Sequence, residues 1–148
     1  MNGRRIEATE IQGRRILVID DEEANVLLLR SLLAREGYSD VHAITDSTRA
    51  LEAYVTLAPD LVLLDLMMPV VDGFQLLEAF GRHDRAEQFR PVLVLTADTT
   101  IQARRRALAL GAKDFVSKPF DVIEMSLRIA NLIETRILYE RLEARAGT

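Results

Sequence analysis

The sequence predicts an α/β fold built on a parallel sheet with helices on both faces, and two observations carry that reading. Ile16-Leu17-Val18-Ile19, Leu61-Val62-Leu63-Leu64 and Val92-Leu93-Val94-Leu95 are continuous apolar runs of strand length. Strands buried on both faces have this character, whereas a half-exposed strand would alternate. Between the runs lie helical patterns, and parallel neighbours need such crossovers. The size agrees: 148 residues, 49% hydrophobic and 28% charged, suit one domain able to bury a core without staples. No cysteine is present, which excludes disulfides and thiolate metal sites, and two histidines make zinc a poor fit.

Taken in order, residues 1–13 are polar without a sustained period and read as a flexible arm. The first strand, from about Arg14, precedes a helix with Val26, Leu29 and Leu33 on one face, stopped by Gly37. A weaker edge strand spans 41–44. Ser47, a good N-cap, opens the next helix, which buries Ala50, Ala53, Tyr54 and Leu57 before Pro59. The middle strand follows, then a helix after Gly73 carrying Phe74, Leu77 and Phe80. The fourth strand precedes a helix from about Asp98 to Leu110 that ends at Gly111. Phe115-Val116 forms the last, short strand. The final helix starts near Phe120 and keeps its pattern to about Leu142. Ile123, Leu127, Ala130 and Ile133 form the stripe expected to dock on the sheet.

What ends each apolar run carries the chemistry. The first ends in Asp20-Asp21, the middle one in Asp65, the next in Thr96 and the last in Ser117-Lys118. In a parallel sheet these are carboxyl ends lying along one edge, where open α/β sheets bind ligands. Three clustered carboxylates repel one another without a cation. An oxygen-only donor set favours a hard ion such as Mg²⁺. A cation, an ammonium and a hydroxyl suit a phosphoryl group, with a carboxylate as the attacking atom. Each piece has a bland reading as well, because an Asp pair caps helices, Asp72-Gly73 makes turns and X-Pro marks boundaries. Their joint placement at four strand ends favours the chemical reading. Of 19 basic residues only Lys113 and Lys118 are lysine, and a compact ammonium at 118 fits a phosphoryl group as a point charge.

Asp20-Asp21, Asp65-Leu66-Met67-Met68-Pro69 with Asp72-Gly73, Thr96-Ala97 and Lys118-Pro119-Phe120 resemble the receiver domain of bacterial two-component response regulators, over about 14–132. The resemblance implies a flavodoxin-like (βα)5 fold with strand order 2-1-3-4-5, phosphorylated by a histidine kinase or phosphotransfer protein. It implies Asp65 as phosphoacceptor, and Asp20, Asp21, Asp65 and the Met67 backbone carbonyl as ligands of Mg²⁺ (or Mn²⁺). Thr96 and Lys118 would contact the phosphoryl oxygens, Phe115 would be the aromatic switch, and Lys118-Pro119 a cis peptide. Met67 and Asp98 occupy positions that bear on water attack; an apolar Met67 would not orient water, whereas Asp98 could.

Signalling rather than turnover is the expectation. A haloacid-dehalogenase-type hydrolase wants a second Asp two residues after the nucleophile, where this chain has Met67. A flavin mononucleotide domain wants a Ser/Thr/Gly-rich phosphate loop that the first strand turn lacks. Net charge −4 argues against direct nucleic-acid binding. No apolar run nears the roughly 20 residues that span a bilayer, so the expected setting is cytoplasmic. Arg104-Arg105-Arg106 read as a solvated face or a contact for an acidic partner, and His42 and His83 as surface or structural residues. Residues 133–148 read as an extension of the last helix. Ile137, Leu138 and Leu142, flanked by Glu134, Arg136, Glu140 and Arg141, would pair with a second chain or a partner helix.

Overall fold

Five parallel strands in the order β2-β1-β3-β4-β5 form the sheet, in a computed structural model that describes residues 5–85 and 88–146. The strands are β1 (Arg15–Ile19), β2 (Asp40–Ile44), β3 (Leu61–Leu64), β4 (Val92–Thr96) and β5 (Asp114–Ser117). The helices are α1 (Ala8–Gln12), α2 (Glu23–Arg35), α3 (Ala50–Leu57), α4 (Gly73–His83), α5 (Ile101–Ala109) and α6 (Val122–Ala146). The strand order expected from the resemblance is the one present, and β1 sits between β2 and β3 with Ile16 opposite both Val41 and Leu61.

Alternation along each strand divides the interior in two. Ile16, Val18, Leu61 and Leu63 pack with α2 and α6, while Leu17, Ile19, Val62 and Leu64 pack with α3, α4 and α5. Each of these side chains is buried, contributing roughly 1.5–3 kcal/mol in transfer terms. The continuous apolar runs follow directly, because both faces of every inner strand need apolar cover.

Local signals set most helix ends. Gly37 adopts φ +91° after α2, a left-handed position that glycine accepts without cost. At α4 the Asp72 carboxylate accepts from the Gln75 amide at 2.9 Å, and the Gln75 side chain accepts from the Asp72 amide at 2.9 Å. Thr100 caps α5 by accepting from the Ala103 amide at 3.2 Å, three residues into the span read as helical. Ser47 is not the cap it resembles. Asp46 caps a short 3₁₀ turn over Ser47–Arg49, and the buried Ser47 hydroxyl points elsewhere. His42 acquires an acidic partner that its spacing did not advertise, with Nε2 2.7 Å from Asp40 Oδ1. Arg15 Nε reaches the other oxygen of Asp40 at 2.9 Å.

Two expectations for the chain ends are corrected. Within residues 1–13, read as a flexible arm, Ala8–Gln12 form α1, and Ile6 and Ile11 pack against the core cluster that holds α6. The first four residues of that arm lie outside the described residues, as do the last two of the 133–148 extension. The stripe of α6 that faces the sheet is Met125, Ile129, Ile133 and Ile137, whereas Ile123 and Leu127 are 72% and 60% exposed. The first turns of this helix are apolar on several sides, so period alone does not choose the buried face. Ile137 is 1% exposed and is therefore no part of an open seam; Leu138 and Leu142 remain exposed. No break in α6 marks residue 132. Among the described residues no helix is long and apolar enough to cross a membrane.

Candidate functional site

Each inner strand ends by delivering a polar side chain to the same edge. Asp20 follows β1 and is 2% exposed, Asp65 follows β3 at 4%, and Thr96 ends β4 fully buried. The ladder carries them there, since the Asp65 amide donates to the Ile19 carbonyl at 3.0 Å and the Lys118 amide to the Thr96 carbonyl at 2.9 Å. The Lys118 ammonium then lies 2.8 Å from Asp20 Oδ2 and 3.4 Å from Asp65 Oδ2. Four expected site residues, separated by up to 98 positions in sequence, converge on that edge.

The carboxylates are not equivalent. Asp20 is held at both oxygens, by Lys118 and by the Glu22 amide at 2.9 Å. Asp65 accepts one backbone donor, the Met67 amide at 3.1 Å. Burial pushes the Asp65 carboxyl above the ordinary carboxylate range and Asp20 adds to the push, outweighing the Met67 amide and Lys118. Burial pulls the Lys118 ammonium down, yet its two carboxylate partners win and its pKa is raised. Asp20, Asp21 and Asp65 each present an oxygen within 4.8 Å of the other two. Three close oxygen donors, with no nitrogen or sulfur among them, fit a hard divalent cation.

The surrounding shell explains residues whose purpose the sequence did not disclose. The Ser47 hydroxyl donates to the Pro69 carbonyl at 2.7 Å and accepts from the Val71 amide at 3.3 Å, pinning the loop after Asp65. In that loop Met67 is 58% exposed, and Val70 adopts φ +69°. The Gly73 amide donates to the Leu66 carbonyl at 3.0 Å. Thr96 Oγ1 accepts from the Asp98 amide at 3.3 Å, and the Asp98 carboxylate accepts from the Thr100 amide at 3.0 Å. That bond holds the Asp98 carboxyl below its ordinary value. The Lys118-Pro119 peptide is cis, as the resemblance implied.

Phe115 is 7% exposed and turned into the α3–α5 side of the core. The Arg104 guanidinium stands 5.7 Å from its ring centroid, and Arg106 stands 4.1 Å from that of Phe74. The arginine run is thus partly a stack on aromatic faces, a contact worth about 0.5–1 kcal/mol at exposed sites. No periodic signal marks it, because the aromatic partners sit on other elements.

The profile of the response regulator receiver domain matches residues 16–130. Over 119 residues the chain is 42% identical to the DNA-binding dual master transcriptional regulator RpaA of Synechocystis, covering 80% of this chain and 48% of that protein. It is 37% identical over 134 residues to the response regulator PleD of Caulobacter vibrioides, covering 90% of this chain and 29% of PleD. The chain therefore spans half or less of these relatives. Among solved structures, the Francisella response regulator 1452 receiver domain matches with TM-score 0.75 and 26% identity, over 83% of this chain and 98% of that one.

Proposed function

The chain belongs to the response regulator receiver domain family, and from that premise we propose that Asp65 accepts a phosphoryl group from a histidine kinase or phosphotransfer protein. The observation that carries this reading is the placement of Lys118 Nζ at 2.8 Å from Asp20 and 3.4 Å from Asp65, on the edge that Thr96 shares. Asp65 is the nucleophile because its carboxylate is the less committed of the two buried ones. Its oxygen attacks phosphorus in line; the bond from phosphorus to the donor's imidazole nitrogen breaks, and that nitrogen leaves with the electron pair. The product is an acyl phosphate on Asp65.

Mg²⁺ (or Mn²⁺), held by Asp20, Asp21, Asp65 and the Met67 carbonyl, would supply positive charge to the phosphoryl oxygens. Lys118 orients and neutralises those oxygens from its own side. With a small acyl-phosphate donor, intact mass should therefore show one added phosphoryl group in the presence of Mg²⁺ and none after chelation. Asp21→Ala should lose most of its metal affinity while keeping its fold. Unchanged uptake after chelation, or unchanged metal affinity of that variant, would overturn the metal assignment.

Thr96 converts the covalent change into a conformational one. A hydrogen bond from its hydroxyl to the charged phosphoryl acceptor is worth about 1.5–3 kcal/mol, enough to bias a two-state balance of a few kcal/mol. Phe115 then settles into the space that Thr96 vacates. Thr96→Ala should accept the phosphoryl group but show none of the amide-exchange changes that follow in wild type. Identical changes in both chains would refute the coupling. The setting of this exchange is cytoplasmic, and the signal leaves by protein contacts rather than by direct nucleic-acid binding. Of Ile137, Leu138 and Leu142, the latter two stay exposed and are what remains of that stripe for a second copy or a partner helix.

A further inference from the structure

At 1.5 Å per residue the 25 residues of α6 extend for about 37 Å, whereas five-residue strands cover about 17 Å. Beyond Ile137 no described residue of this helix is buried. A short helix without tertiary support is marginal in water, so something else must hold it.

Two segments lie against it: the loop before β4, where Phe89 stacks on Tyr139 at 4.8 Å and its carbonyl accepts from Arg136 at 2.9 Å, and the opposite end of the chain. α1 packs on α6, and Ile6 and Ile11 join the cluster that includes Ile133 and Ile137. Arg141 Nη2 reaches both oxygens of Glu10, at 3.1 and 3.2 Å. Arg14 Nη1 lies 2.7 Å from Glu140 and 3.3 Å from Asp60, and Arg136 Nε lies 2.9 Å from the same Asp60 oxygen. The segment is itself anchored to the domain. Gln12 donates from Nε2 to the Glu36 carbonyl at 2.9 Å and accepts from the Ser39 amide at 3.2 Å. Residues 6–14 and 131–146 both lie outside the span matched by the receiver profile, 16–130. Two appendages of the shared domain have become one unit.

We propose that residues 6–14 are an intramolecular clasp that fixes the distal half of α6 against the amino edge of the sheet and seals Ile137, so that the helix leaves the domain in one set direction. Displacing the clasp bares Ile137 beside the exposed Leu138 and Leu142. The clasp sits at the edge opposite Asp65 and works whether or not that residue is phosphorylated.

Hydrogen exchange read by mass spectrometry on peptides covering 134–143 tests this in the unphosphorylated chain, so the result is independent of the Asp65 assignment. Deletion of residues 2–12, and Ile11→Asp separately, should speed exchange there on the order of tenfold, leaving β1 and β3 protected. Glu10→Arg should give a smaller rise of roughly two- to fivefold, the scale of an exposed ion pair, which Arg141→Glu in the same chain reverses. Unchanged exchange at 134–143 after the deletion would overturn the proposal. So would an equal rise across β3 and α2, which would make residues 6–14 ordinary core.

Discussion

Asp65→Asn should abolish phosphoryl uptake from a small donor while leaving the fold intact. The amide keeps the shape of the carboxylate and the place to accept the Met67 amide, but it cannot attack phosphorus. Asp20 should not substitute, because its oxygens are held more closely than those of Asp65, by Lys118 at 2.8 Å and the Glu22 amide at 2.9 Å. A variant that gained the same mass as wild type would end the assignment. The pH dependence has a defined sign. Uptake needs the ionised carboxylate, and burial raises the Asp65 pKa in the metal-free chain, so on acidification this carboxyl, followed by its carbon chemical shift without metal, should take up its proton before an ordinary carboxylate would. The folded state holds this proton to higher pH than the unfolded state does. The group therefore favours folding most at low pH, and that contribution is lost as pH rises through its raised value. Relative to wild type, the variant should gain stability over the same interval, measurable as a difference in urea midpoints.

Gly73→Ala should be the most damaging single methyl group near the site. A Cβ at this position would stand 2.6 Å from the Asp65 carbonyl oxygen and 2.6 Å from the Leu66 Cα. Both are backbone atoms, so no rotamer relieves the contact, and the start of α4 must move away from the loop after Asp65. Overpacking of this kind costs roughly 1–3 kcal/mol, and uptake on Asp65 should slow with it. Gly81→Ala in the same helix is the counterpart. An added Cβ there meets nothing within 4 Å, so it should stabilise by about 0.5–1 kcal/mol through helix propensity. Equal urea midpoints for the two variants would show that the close approach at Gly73 is not limiting.

The sheet was legible because burial on both faces writes itself into contiguous residues. Leu61-Val62-Leu63-Leu64 admits few readings, and Asp65 at its end inherits its position from the strand. What escaped depends on partners distant in sequence. Ser47 carries the local signature of a cap, yet its hydroxyl is recruited by Pro69 and Val71 across 22 and 24 residues. Gly73 reads as turn chemistry, and only the three-dimensional approach to Asp65 reveals why a side chain is excluded. In α6 the choice between the Leu127 and Ile129 faces is made by the sheet and α2, not by the helix. Ile6 and Ile11 join the cluster that holds Ile137, and residues 6–14 have no periodicity of their own from which to foresee it.

A five-stranded open sheet has two outer strands, and an outer strand is a template on which another chain can add. The Arg15–Asp40–His42 cluster sits at the start of β2, and Asp114 at the start of β5 is held by Arg128 at 2.6 Å. A foreign strand seeking to extend the sheet would meet charge at both margins, and at β5 only four residues to pair with. Charge placed at the start of each outer strand works against such addition.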